Sequence, residues 1–196
     1  MVDRGAEAGW EAFAEQYMRT RSRSIGAATV GAWAAQLPVG GAVLDLGCGF
    51  GEPNARALVE AGFEVFGVEA SPTLAAACRT NVPGMTVACE RVEDSAFFGR
   101  SFDGIVAIGL VFLLEPSTQR AVLGKAAAAL REGGRLLFSA PWQVCSWETV
   151  PTGQVSRSLG REAYAELLGA CGLVRVEECV DEGENHHFHF VRSPSR

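Results

Sequence analysis

The sequence predicts an α/β chain: a doubly wound, mostly parallel seven-stranded sheet with helices on both faces and an antiparallel last strand. Three observations predict it. From residue 42 onward, apolar runs of strand length alternate with helix-length segments. The first run, AVLDL at 42–46, leads into a glycine-rich turn and then a helix. The last two runs, 173–180 and 187–192, are separated only by the turn Asp181-Glu182-Gly183-Glu184-Asn185. That is too short for a parallel crossover, so they pair as a hairpin.

Each element has its own signal. Residues 8–23 place Trp10, Phe13, Ala14, Tyr17 and Met18 on one apolar helical face. A second helix covers 26–36 and stops before Pro38. Residues 42–46 are a continuous apolar strand of the kind buried on both faces. A helix follows at about 53–61, ending at Gly62, and then a strand at 63–68. Ser71 caps a helix that begins at Pro72 and runs to about Thr80. Strands are placed at 85–89 and 102–108. The next helix, 116–131, opens at Pro116 and stops before Gly133-Gly134. A strand at 135–140 follows. Residues 141–158 read as a long loop, and 160–170 as a helix.

The chain has 196 residues and a net charge of −6, and 48% of it is hydrophobic. That is one globular domain, with an N-terminal helical lid over 1–37, a core over 38–192 and the 141–158 loop above the cleft. A global basic field for nucleic acid is absent. The six cysteines form no CxxC pair, which points to a reduced, cytoplasmic protein with no metal centre and no disulfide framework. No run approaches the ~18 apolar residues of a membrane span, and the first residues do not read as a signal peptide.

The strongest motif is VLDLGCGFGEP at 43–53. Glycine lets a ligand approach the backbone closely. The spacing Gly47-x-Gly49-x-Gly51 differs from the GxGxxG dinucleotide fingerprint, because position 52 is Glu52. A carboxylate there opposes a pyrophosphate. Asp45 inside the strand suits the ammonium of an amino-acid-like tail.

These residues resemble the class I S-adenosylmethionine-dependent methyltransferases, over about Trp10 to Arg192, most specifically in VLDLGCGFG. The resemblance implies a Rossmann-like methyltransferase fold whose glycine loop (Gly47, Cys48, Gly49, Gly51) wraps the methionine part of S-adenosylmethionine. It implies that Glu69, in FGVEASP, binds the ribose hydroxyls, with Ala70 and Ser71 beside it. At the adenine position Arg91 stands where the family usually has aspartate. Val92 would supply an amide, and Glu93 (or Asp94) would replace the acid. Ala107 to Gly109 would face the sulfonium end. A tyrosine or arginine from the N-terminal helix, here Tyr17 or Arg23, would reach the cofactor carboxylate. The Asn-Pro-Pro-Tyr type motif of enzymes that methylate planar amino groups is lacking.

The acceptor side is less defined. His186 or His187 could serve as general base, or could satisfy loop carbonyls. Trp142 and Trp147 could contact an acceptor or plug the core, and Trp10 could complete the lid. Three readings follow: a small-molecule methyltransferase, a protein or RNA methyltransferase, and an NAD(P)-dependent oxidoreductase on a similar fold. The second would need a basic patch around Arg19, Arg21, Arg23, Arg157 and Arg161. Glu52 opposes the third. The small molecule is favoured, on the acidic charge and the compact chain.

Overall fold

The computed structural model describes residues 5–149 and 152–194, with side chains described from Trp10 onward. Helices α1 (Gly5–Thr20) and α2 (Ala27–Ala34) precede β1 (Ala42–Leu46). Then come α3 (Asn54–Glu60), β2 (Glu64–Glu69), α4 (Pro72–Asn81), β3 (Thr86–Cys89) and β4 (Phe102–Ala107). The second half runs through α5 (Pro116–Ala129), β5 (Leu130–Ser139), β6 (Cys145–Thr149), β7 (Gln154–Ser158), α6 (Arg161–Ala170), β8 (Leu173–Val180) and β9 (His186–Arg192).

Seven strands form one sheet in the order β3-β2-β1-β4-β5-β9-β8. Pairing is parallel from β3 to β5, and β9 is antiparallel to both β5 and β8. The alternation of strand side chains sorts the core into two layers. Leu44, Leu46, Phe66, Ile105 and Phe138 face α5 and α6 through Val122, Leu123, Ala126 and Leu168. Val43, Val65, Val106 and Leu137 face α2, α3 and α4 through Trp33, Leu58 and Cys78. The chain order turns back between β1 and β4, which opens a crevice beyond the carboxyl ends of those strands.

Three sequence expectations need correction. The first helix is described from Gly5 and ends at Thr20, not at residue 23, where the chain has passed into bends and turns. Helix α5 ends at Ala129, because buried Leu130 pairs with Phe102 in the sheet. The register then shifts, and regular pairing resumes at Gly104↔Arg135. The 141–158 segment is not a plain loop. It holds β6 and β7, an antiparallel hairpin paired from Cys145↔Ser158 to Thr149↔Gln154. Buried Gln119 fixes that hairpin to the main body. Its amide donates to the carbonyls of Arg157 (2.8 Å) and Leu114 (2.9 Å), and its oxygen accepts from the Tyr164 hydroxyl (2.7 Å).

Gly67 of β2 lies opposite Asp45 of β1. A Cβ there would meet Met85 Cε at 2.3 Å and Cys48 Sγ at 2.7 Å. The bare backbone makes room for the glycine loop to fold over the sheet. Gly67→Ala is therefore expected to destabilise the protein by about 1–3 kcal/mol through overpacking. Urea unfolding checks this, and an unchanged midpoint refutes it.

Candidate active site

The crevice is a cleft with about 910 Å³ of atom-free space, its open mouth included. Every wall comes from a segment that follows a parallel strand, except for the roof. Gly47 and Gly49 follow β1, and Val68 to Ser71 close β2. Glu90 to Glu93 follow β3, and Ile108 to Leu110 follow β4. Trp10 and Tyr17 of α1 and Gln154 of β7 complete the lining, with Leu113 and Leu114 beside them.

The glycine loop adopts its shape because Gly47 and Gly49 have φ of 70° and 55°, a region that side chains avoid. Glu69 then organises the floor. One of its oxygens accepts from the Gly49 amide and the other from the Ser71 amide, both at 2.8 Å. Burial nevertheless pushes the Glu69 carboxyl above its ordinary range. Asp45 is 4% exposed, and no hydrogen-bond donor among the described residues reaches its carboxyl. Burial first, and the nearby Glu69 charge second, push its pKa up to about 8. Two buried acids thus lie close together with no cation between them, an arrangement that favours a positively charged ligand group.

Helix α1 is latched over this floor. Glu11 accepts from the Thr73 hydroxyl at 2.6 Å, and also from the Ser71 hydroxyl. Those bonds hold its carboxyl below the usual range. The Tyr17 ring stands edge-on to both Trp10 (5.7 Å) and Phe50 (5.8 Å). Burial raises the Tyr17 phenol, while the charge of Arg21 opposes the rise.

Among the sequence candidates, Trp10, Tyr17, Gly47, Gly49, Glu69, Ala70, Ser71, Val92, Glu93 and Gly109 meet in the cleft. The others lie outside its lining. Gly51 serves packing, since a Cβ there would strike Val82 at 2.5 Å. Cys48 turns its sulfur toward Cys78, 4.0 Å away. Ala107 is buried in the sheet, and Arg23 is exposed beyond α1, leaving Arg21 as the arginine beside Tyr17. Asp45 sits behind the lining. Missed from sequence were Arg91 as a wall residue, paired with Glu93 (2.9 Å), and the Leu110, Leu113 and Leu114 wall. Ser139 was also missed. Its hydroxyl accepts from the Gly109 amide at 2.8 Å.

The general base read at His186 or His187 is not placed at the cleft. His187 is fully buried and bonds Asp181 at 3.0 Å. Burial works to raise the Asp181 pKa, but the bonds from His187, Asn185 and Gly183 outweigh it and hold the carboxyl low. His186 accepts from the Trp142 amide at 3.1 Å and stacks on the Trp142 ring at 4.1 Å. Arg161 covers the other part of that stack, 4.8 Å from the indole. Trp142 is therefore committed to this stack. Trp147 packs on Phe112, with ring centroids 5.4 Å apart, rather than lining the cleft. Among the described residues, no group of three or more His, Cys, Asp or Glu is placed to hold a metal ion.

Two predictions follow from these acids. The Asp45 pKa is about 8 when folded, against an ordinary 3.8. Its contribution to stability is therefore full below about pH 4 and is lost as pH rises through about 8. Asp45→Asn should gain stability over wild type progressively between pH 5 and 9. Parallel melting profiles across that range refute it. Glu11→Ala should speed amide exchange throughout α1 while the β1–β5 sheet stays protected. Unchanged exchange in α1 removes the latch.

The sequence of residues 43–134 matches the methyltransferase domain family model. No curated protein matches the chain. Among solved structures, SAM-bound CalS10 is similar over 93% of this chain and 97% of its own, at 19% identity and TM-score 0.74. It is an amino pentose methyltransferase from Micromonospora echinaspora involved in calicheamicin biosynthesis. The 1,6-didemethyltoxoflavin-N1-methyltransferase of Burkholderia thailandensis matches over 95% and 88%, at 20% identity and TM-score 0.75. A Haloferax volcanii protein solved with the Trm112 methyltransferase activator matches over 97% and 99%, at 17% identity and TM-score 0.77. The matched segment, a methyltransferase domain by that model, carries the glycine loop and the acid at the end of β2, and the solved structures share the fold over nearly the whole chain.

Proposed function

We propose that the protein transfers a methyl group from S-adenosylmethionine to a small-molecule acceptor. The observation that carries this reading is the pair of buried acids, Asp45 and Glu69, flanking the Gly47–Gly49 turn at the reversal of strand order. Burial holds both acids toward their neutral forms and Glu69 adds to the effect on Asp45, so the floor of the cleft favours a ligand bearing an ammonium group, which would stabilise the ionised forms. Glu69, aligned by two amides, can accept hydrogen bonds from a vicinal diol. The donor set therefore fits an amino-acid tail joined to a nucleoside.

S-adenosylmethionine, when bound, supplies a methyl carbon already activated by its sulfonium. The chain's own work is to orient and to exclude water. Asp45 would provide negative charge beneath the amino-acid end, and Glu69 would hold the ribose. Arg91, Val92 and Glu93 would border the base. Leu110, Leu113 and Leu114, with Trp10 above, keep the remaining wall apolar and suit an acceptor of modest size. The net charge of −6 also favours a small molecule over a nucleic acid. The two small-molecule enzymes above, an amino pentose methyltransferase and a 1,6-didemethyltoxoflavin-N1-methyltransferase, lend support by analogy of fold. We assign no base role to His186 or His187.

In this reading α1 is the lid of a single domain and the β6–β7 hairpin overhangs the acceptor end. All six cysteines are thiols, which suits a reducing cytoplasm. Among the described residues no helix is long and apolar enough to cross a membrane.

Calorimetry with S-adenosylhomocysteine and with NAD tests the cofactor. Binding of the first and not the second is expected, and the reverse overturns the proposal. Glu69→Ala should weaken S-adenosylhomocysteine by about 1.5–3 kcal/mol, the range for a hydrogen bond to a charged group. Labelled methyl transfer into a metabolite extract tests the acceptor class. Label appearing only in protein or RNA would favour a macromolecular acceptor instead.

A further inference from the structure

Lys125 is the only lysine in the sequence. Its ammonium carries three donors and no acceptor. All three are used on one turn: Nζ donates to the carbonyls of Val92 (2.9 Å), Glu93 (2.9 Å) and Ser95 (2.8 Å). The same Nζ lies 4.5 Å from the centroid of the buried Phe97 ring, a favourable cation–π placement. The turn it grips is unusual. Phe97 and Phe98 have φ of 49° and 57°, two consecutive left-handed residues that are not glycine. Ser95 supports them by accepting from the Phe97 amide at 3.0 Å. The 90–93 segment, which runs into this turn and shares Val92 and Glu93 with it, forms one wall of the cleft.

The ammonium therefore reaches from α5, packed on one face of the sheet, to the backbone of the wall. Three carbonyls in four residues can converge on one point only if the turn curls around it. Without the cation those carbonyls would repel one another, and their part-buried dipoles would lose their donors. Arg91 and Glu93 hold their ion pair within this same curl. The backbone under Lys125 thus sets where the Arg91–Glu93 pair and Val92 stand against the cleft.

We propose that Lys125 is the positioning residue for the base end of the nucleoside ligand, fixing the 92–95 turn so that its wall discriminates among bases. This rests on the methyl-donor reading above. Lys125 itself does not line the cleft, so it acts on the ligand only through the turn.

The test is calorimetry with S-adenosylhomocysteine and S-inosylhomocysteine on wild type, Lys125→Arg, Lys125→Gln and Lys125→Met, with thermal melts to establish the folded fraction. Lys125→Met should lose about tenfold or more in affinity for the adenosyl ligand. Its preference for adenosyl over inosyl should collapse toward one. Lys125→Arg, which keeps charge and donors, should restore most of both. Should Lys125→Met fold poorly, Lys125→Gln is read in the same way. A folded variant that keeps wild-type affinity and base preference overturns the proposal. So does an equal loss for both ligands, which marks Lys125 as merely structural. If wild type binds neither ligand, the methyl-donor reading fails instead.

Discussion

One carboxylate ties the cleft together. Glu69 ends β2, and its two oxygens take the amides of Gly49 and Ser71. The first amide belongs to the glycine loop after β1 and the second to the cap of α4. Ser71 in turn accepts from the Leu74 amide and donates to Glu11. The loop, the helix start and the overlying helix α1 therefore share a single chain of hydrogen bonds that begins at Glu69. A buried carboxylate is costly to leave unsatisfied, and amide donors are its cheapest compensation. The geometry of the cleft floor follows from that requirement.

The same requirement gives the site its electrostatic character. Glu69 is compensated by amides and Asp45 is not. The sheet places Asp45 between apolar neighbours, Leu44 and Leu46, in a fully buried strand. Such a position would normally hold an aliphatic residue. An acid kept there raises the free energy of the empty fold at neutral pH and lowers that of any complex bringing a positive charge. Stability is exchanged for ligand preference at one position, a pattern expected where function overrides folding.

The strands and most helices were legible because each is written in local chemistry. The run AVLDL, the Ser71-Pro72 cap and the closing hairpin all formed as read. So did Glu69 and the Gly47–Gly49 turn at the cleft. The failures share a physical cause. The β6–β7 hairpin has an exposed or half-buried face along most of its length, so its composition resembles a loop. Its place is set by Gln119, far away in sequence. His186, His187 and Trp142 carry side chains capable of chemistry, but their partners, Asp181 and Arg161, are fixed only by tertiary packing. Lys125 drew attention by its rarity alone. Nothing in its helix says that its end reaches the 92–95 carbonyls.

That rarity has a practical side. Sixteen of the seventeen basic side chains are arginines, and guanidinium groups resist acylation at neutral pH. The one lysine has its ammonium wrapped by backbone and ring, which shields it from reagents while the turn stays closed. Amine-directed reagents thus meet a side-chain surface with almost nothing to modify. Any slow labelling of Lys125 becomes a clock for the opening of one wall of the cleft.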